Sequence, residues 1–121
     1  MKKTLFISMT QLLLYSCNMS DSVEELPQGY KAIYEGGNQN RLIKNSKLFI
    51  DSGMVDVKYN DTYLLVSVDT TYSMNPNSVN KRNLKYFIQN LKQDTILRGI
   101  SYQKLRYVIE KESLYELDIT Q

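Results

Sequence analysis

Histidine and tryptophan are absent from this chain of 121 residues, cysteine occurs once, alanine once (Ala32) and proline twice. Without histidine there is no imidazole general base, no Ser–His or Cys–His nucleophile pair and no His-ligated zinc. A single cysteine excludes an intrachain disulfide and a multi-cysteine metal site. No like-charge block is long enough to mark a disordered acidic or basic segment. Glycine-rich phosphate motifs are missing too: Gly36-Gly37 is followed by neither a lysine nor a helix start, so it reads as a turn. Asp51-Ser52-Gly53-Met54-Val55-Asp56 is too sparse in carboxylates for a calcium loop. No cofactor or metal is expected. What is present is 42% apolar and 23% charged residues, the composition of one globular domain at most.

The N-terminus carries the most specific signal. Lys2 and Lys3 precede Leu5-Phe6-Ile7-Ser8-Met9 and Leu12-Leu13-Leu14, the positive and apolar regions of a secretory signal. Residues 4–15 are too few to cross a hydrocarbon core of about 30 Å as a helix, which excludes a permanent span here. Leu14-Tyr15-Ser16-Cys17 resembles the lipobox of bacterial lipoproteins, with an aliphatic residue three before the cysteine and a small one just before it. Tyr15 stands where a small residue is usual. The resemblance implies cleavage between Ser16 and Cys17 and lipidation of the Cys17 thiol. Acyl chains such as palmitate would then hold the protein to a membrane, each buried CH₂ contributing about 0.8 kcal/mol. Residues 1–16 are then the signal peptide, 17–28 the lipidated cysteine and a flexible tether, and 29–121 a single β-rich domain. The implied location is the cell envelope, on the outer membrane and facing either the periplasm or the surface.

Asp21, Glu24 and Glu25 make the tether acidic. This is similar to the stretch behind the cysteine of surface-exported Bacteroidetes lipoproteins, although a solvated linker has the same composition. Asp21-Ser22-Val23, Asp69-Thr70-Thr71 and Asp94-Thr95-Ile96 resemble the short O-glycosylation motif of that phylum. Cleavage would remove two of the fifteen basic side chains (Lys2 and Lys3) and none of the thirteen acidic ones, so the two signs balance. No basic excess remains to neutralise phosphates, which argues against a nucleic-acid partner.

Beyond residue 29 the pattern alternates more than it coils, and Tyr, Val, Ile and Thr favour strands. Strands are predicted at 30–34, 41–44, 47–50, 55–59, 62–68, 84–88 and 94–98. Val55, Val57 and Tyr59 alternate with Asp56 and Lys58, and Asn60-Asp61 then turns the chain, which predicts a hairpin. Its second strand is nearly all apolar, with Leu64, Val66 and Val68 on one face and Tyr63, Leu65 and Ser67 on the other. It therefore belongs in the middle of a sheet. Residues 70–82 form a long polar loop, either mobile or a contact. Gly99 is expected to end the last hairpin. Ser101 is a good N-cap for a helix over 102–113 with Tyr102, Leu105, Val108 and Ile109 on its apolar stripe. Alternation of Tyr115, Leu117 and Ile119 suggests a short final strand. The expectation is α+β: an antiparallel sheet of five to seven strands, one C-terminal helix packed on it, and the other sheet face partly solvated.

Tyr86-Phe87-Ile88, a polar hairpin, Asp94-Thr95-Ile96, then Gly99-Ile100-Ser101 and a helix through Leu105 resemble a pattern in small uncharacterised bacterial lipoproteins. There a strand pair ends in a Gly-Pro-Leu-Ser-like turn before a short helix. Arg98 and Ile100 replace parts of that turn. The resemblance implies architecture and layout, and no activity.

Tyrosine is the one compositional excess, with ten residues. Sheet packing with hydroxyls at the rim accounts for it economically. A binding face for an envelope protein or a glycan is the functional alternative, with Tyr59 and Tyr63 beside the hairpin turn and Tyr72 in the long loop. Three functions fit: a non-enzymatic, membrane-tethered binding module, an immunity or inhibitor lipoprotein, and a hydrolase using carboxylates such as Asp51 and Asp56.

Overall fold

The computed structural model describes residues 22–121; Ser16, Cys17 and the rest of residues 1–21 lie outside the described residues. Among the described residues eight strands and one α-helix follow one another: β1 (Ser22–Glu25), β2 (Tyr30–Tyr34), β3 (Arg41–Lys44), β4 (Lys47–Ile50), β5 (Met54–Tyr59), β6 (Tyr63–Val68), β7 (Lys85–Asn90), β8 (Thr95–Ile100) and α1 (Tyr102–Lys111). Two four-stranded antiparallel sheets result, β1-β2-β3-β4 and β5-β6-β7-β8, each in simple sequential order. The α+β expectation holds in outline. The strand count is eight rather than five to seven, because Ser22–Glu25, expected in the tether, pairs with β2 in register Ser22↔Tyr34 to Glu25↔Lys31. All four residues of β1 are exposed, so its apolar content carried no signal of a strand.

The second sheet is the middle layer. Leu64 and Val66 of β6 and Phe87 of β7 face the first sheet, where Tyr30, Ala32 and Leu42 close a first core. Leu65, Tyr86 and Ile88 face the other way, onto Leu105 and Ile109 of α1. β6 thus buries both its faces, as its unbroken apolar run predicts. The face expected to be partly solvated is instead covered by the first sheet. Polar links cross that interface: the buried Tyr30 hydroxyl donates to Gln89 Oε1, Gln89 Nε2 donates to Asp94 Oδ1 at 2.9 Å, and Gln28 Nε2 donates to Leu91 O at 2.6 Å.

Local chemistry sets the turns. Asn60 Oδ1 accepts from the N–H groups of Thr62 and Tyr63, both at 2.8 Å, which closes the β5–β6 hairpin. Ser101 Oγ accepts from Lys104 N at 3.2 Å and caps α1. The expected final strand does not form. Leu114, Leu117 and Ile119 are buried with α1's core, and a 3₁₀ turn at Tyr115–Leu117 gives the spacing that buries them while Tyr115 stays exposed. Asp118 then curls the last residues by accepting from Thr120 N at 2.9 Å. Gly99 does not end β8. It lies within the strand at φ +61°, where the β7–β8 register passes from Ile88↔Leu97 to Tyr86↔Ile100. Arg98 and Gly99 therefore oppose Phe87 together, a bulge that only a residue tolerant of positive φ enters cheaply.

Candidate binding cavity between the sheets

A cavity of about 320 Å³ opens at one end of the two-sheet stack. Its floor comes from Phe49 and Ile50 at the end of β4, Val68 at the end of β6, and Phe87 on β7. The aromatic part is rigid: Phe49 packs edge-on between Tyr30 (ring centroids 5.4 Å apart) and Phe87 (5.0 Å). Such perpendicular pairs set the positive ring edge against a neighbour's negative face. Lys85 lies two residues from Phe87, and so on the same face of β7, and pairs across the ladder with Val68.

Arg98 completes the wall. The bulge sets it opposite Phe87, and its guanidinium lies 4.3 Å from the Phe49 ring centroid. Bulges often re-aim a side chain beside a site in this way. Among the described residues, neither Lys85 nor Arg98 takes part in an ion pair. The rim also holds Asp51, Ser52, Thr70 and Tyr72, so two cations face one carboxylate.

Asp69 builds the loop side. It is fully buried and accepts from Thr71 N (2.9 Å), Thr71 Oγ1 (2.6 Å) and Ser73 N (2.8 Å). Burial alone would push its carboxyl up, but these bonds outweigh burial and hold it below the ordinary carboxylate value. Tyr72 sits between the bonded residues at φ +54°, a left-handed conformation unusual for a bulky side chain. Its carbonyl accepts from Asn38 Nδ2 at 2.9 Å. The start of the 70–82 loop is thus pinned from both sides and presents Tyr72, 57% exposed, to the cavity.

The three candidate tyrosines do not converge. Tyr72 lines this cavity, whereas Tyr63 lines a different groove between β8 and α1 and its hydroxyl donates to Glu112 Oε2 at 3.5 Å. Tyr59 is exposed at the end of β5, near Tyr34. Burial first, then Glu24, Asp56 and Tyr59, push the Tyr34 hydroxyl up to about 12. Tyr59 pairs with Leu64 across the β5–β6 ladder, so Tyr63, the neighbour of Leu64, points to the opposite sheet face. Asp51 and Asp56 also line different cavities. Asp56 Oδ1 accepts from Val57 N at 2.9 Å, so the pair does not form the arrangement a two-carboxylate hydrolase needs. Of the glycosylation-like triplets, Thr70 and Thr95 are exposed, while Asp69 is engaged in stapling its own loop.

Sequence reasoning missed Phe49, Phe87, Lys85 and Arg98. The available signal was the break in alternation at Leu97-Arg98-Gly99-Ile100, where two residues separate apolar positions of one face. Among the described residues no helix is long and apolar enough to cross a membrane, and no cluster of three His, Cys, Asp or Glu could hold a metal ion. Comparisons with protein-family models, curated proteins and solved structures return no match.

Proposed function

We propose that this chain is a lipid-anchored protein of the cell envelope whose β-rich domain is a non-enzymatic binding module. The lipid on Cys17 tethers it to the outer membrane, and the domain meets its partner, an envelope protein or a glycan, beyond the membrane surface. The observation that carries the binding reading is the cavity, with its fixed aromatic floor, mixed polar rim and pinned Tyr72. That combination of an apolar interior and a few placed polar groups is what recognition sites share. The anchoring reading rests on Leu14, Ser16 and Cys17.

Affinity capture from crosslinked cell envelopes tests both parts, comparing the full chain with Cys17→Ala and with Tyr72→Ala. Metabolic labelling with palmitate is run in parallel. The full chain is expected to take up label, fractionate with membranes and retain a partner. Cys17→Ala should lose the label and the membrane, and Tyr72→Ala should lose the partner alone. Label uptake by Cys17→Ala would overturn the anchoring, and an unchanged partner yield with Tyr72→Ala would overturn the cavity's role.

A further inference from the structure

Resting on the binding-module reading, we infer that the cavity takes a small carboxylate with an apolar body, whose charge is held by Arg98 and Lys85. At about 320 Å³ it lies at the small end of the range of about 300–1,000 Å³ common for ligand sites. The floor of Phe49, Ile50, Val68 and Phe87 offers an apolar body nothing to hydrogen-bond to. The charge sits at the mouth. Lys85 and Arg98 lack ion-pair partners among the described residues, and Asp51 is the one carboxylate on the rim. The resulting surplus of one positive charge matches a monoanion. Arginine suits this place because its planar fork can bond a carboxylate at its edge while its face rests on an aromatic ring. Here that ring is Phe49, itself fixed between Tyr30 and Phe87, so the guanidinium is held in place before a ligand arrives. The Gly99 bulge provides the aim: a regular β8 would carry one residue opposite Phe87, not two.

The test uses the full chain in nanodiscs of uncharged lipid, with empty nanodiscs as the blank. The probes are 4-(4-fluorophenyl)butyrate and its neutral amide, each followed by ¹⁹F NMR. The carboxylate should bind at least tenfold more tightly than the amide. Arg98→Gln and Lys85→Gln should each weaken the carboxylate at least fivefold and leave the amide unchanged. Both side chains are exposed, so these variants should fold, and unchanged circular dichroism checks that they do. Gly99→Ala, whose added Cβ meets open space, should also weaken the carboxylate selectively by displacing Arg98. Equal affinity for the two probes, no binding of either, or indifference to Arg98→Gln and Lys85→Gln would overturn the inference. In nanodiscs containing phosphatidylglycerol the probe affinity should hold. Displacement there would name a lipid headgroup as the anion and overturn the free carboxylate. Partner capture that depends on Cys17 and Tyr72 but ignores both charge variants would leave the module standing and remove only this ligand.

Discussion

At Gly53 a single hydrogen atom decides whether the loop before β5 can close. The residue sits at φ +81°, and a Cβ there would lie 2.6 Å from the Asp69 carbonyl oxygen. Retreat is blocked, because Asp69 N donates to Gly53 O at 2.8 Å and Gly53 N donates to Asn38 O at 3.0 Å. Gly53→Ala should therefore cost about 2–4 kcal/mol, the left-handed backbone supplying about 1–2 of it and the collision the rest. Urea denaturation gives the value, and a midpoint equal to wild type would show that the two segments part freely. Asp118 is a second residue whose side chain ties distant segments together. It is buried, its carboxylate binds Arg106 and the Thr120 hydroxyl, and Gln121 Nε2 donates to it at 3.3 Å. Burial would raise its pKa, but Thr120, Gln121 and Arg106 together hold it below the ordinary carboxylate value. A depressed folded pKa means stability that is whole above the unfolded value, near 3.9, and that drains as pH falls through the folded one. Unfolding free energies measured from pH 6 to pH 2 should decline in wild type, partly through Asp69 as well. The decline should be shallower in Asp118→Asn, which is already destabilised at pH 6 by about 1–3 kcal/mol through loss of the charge-assisted bond to Arg106, whose remaining partner is the exposed Glu110.

Between elements, the polar link from β2 to β7 fixes how the two sheets meet. Tyr30→Phe keeps the ring against Phe49 but leaves the buried Gln89 Oε1 without its donor, so a loss of about 1–3 kcal/mol is expected. Tyr30→Phe combined with Gln89→Leu should recover part of it, and a double-mutant cycle on denaturation free energies measures the coupling. The strands themselves were legible where alternation was clean: 30–34, 41–44, 47–50 and the β5–β6 hairpin emerge within a residue or two of their predicted positions. β1 was not, because its burial is nil and backbone pairing alone makes it a strand. The 115–119 segment misled for the opposite reason, since Leu117 and Ile119 are apolar at a strand's spacing but are buried by a turn. The stacking of two sheets was hidden as well, for a face that packs on a second sheet and one that packs on a helix have the same period. The cavity inherits that blindness. Phe49, Phe87 and Arg98 meet only once β4 lies across β7 and β8, and of the site's residues Tyr72 stood out through its place in a long polar loop and Asp51 only as a carboxylate for chemistry the site does not assemble.

For the molecule as a whole, the consequence of a shared middle layer is cooperativity. Each core alone is small for independent stability in a folded unit of 100 described residues. They are joined through β6 and β7, whose alternate residues serve one core and then the other: Leu64 and Val66 the first, Leu65 the second. Neither core can open without stripping one face of the same two strands. Leu64→Ala and Leu105→Ala remove fully buried side chains from opposite sides of that layer, and each should cost about 2–5 kcal/mol. The sharper expectation concerns the shape of the transition. Far-ultraviolet circular dichroism is weighted by α1, which packs on the second core, while tyrosine fluorescence also reports the rings of the first core, Tyr30 among them. In wild type and in both variants the two signals should follow one urea transition with a common midpoint. If Leu105→Ala instead melts the helix side ahead of the sheet stack, the two curves separate. The second core is then an accessory layer, and the cavity, which belongs to the first, would survive its loss.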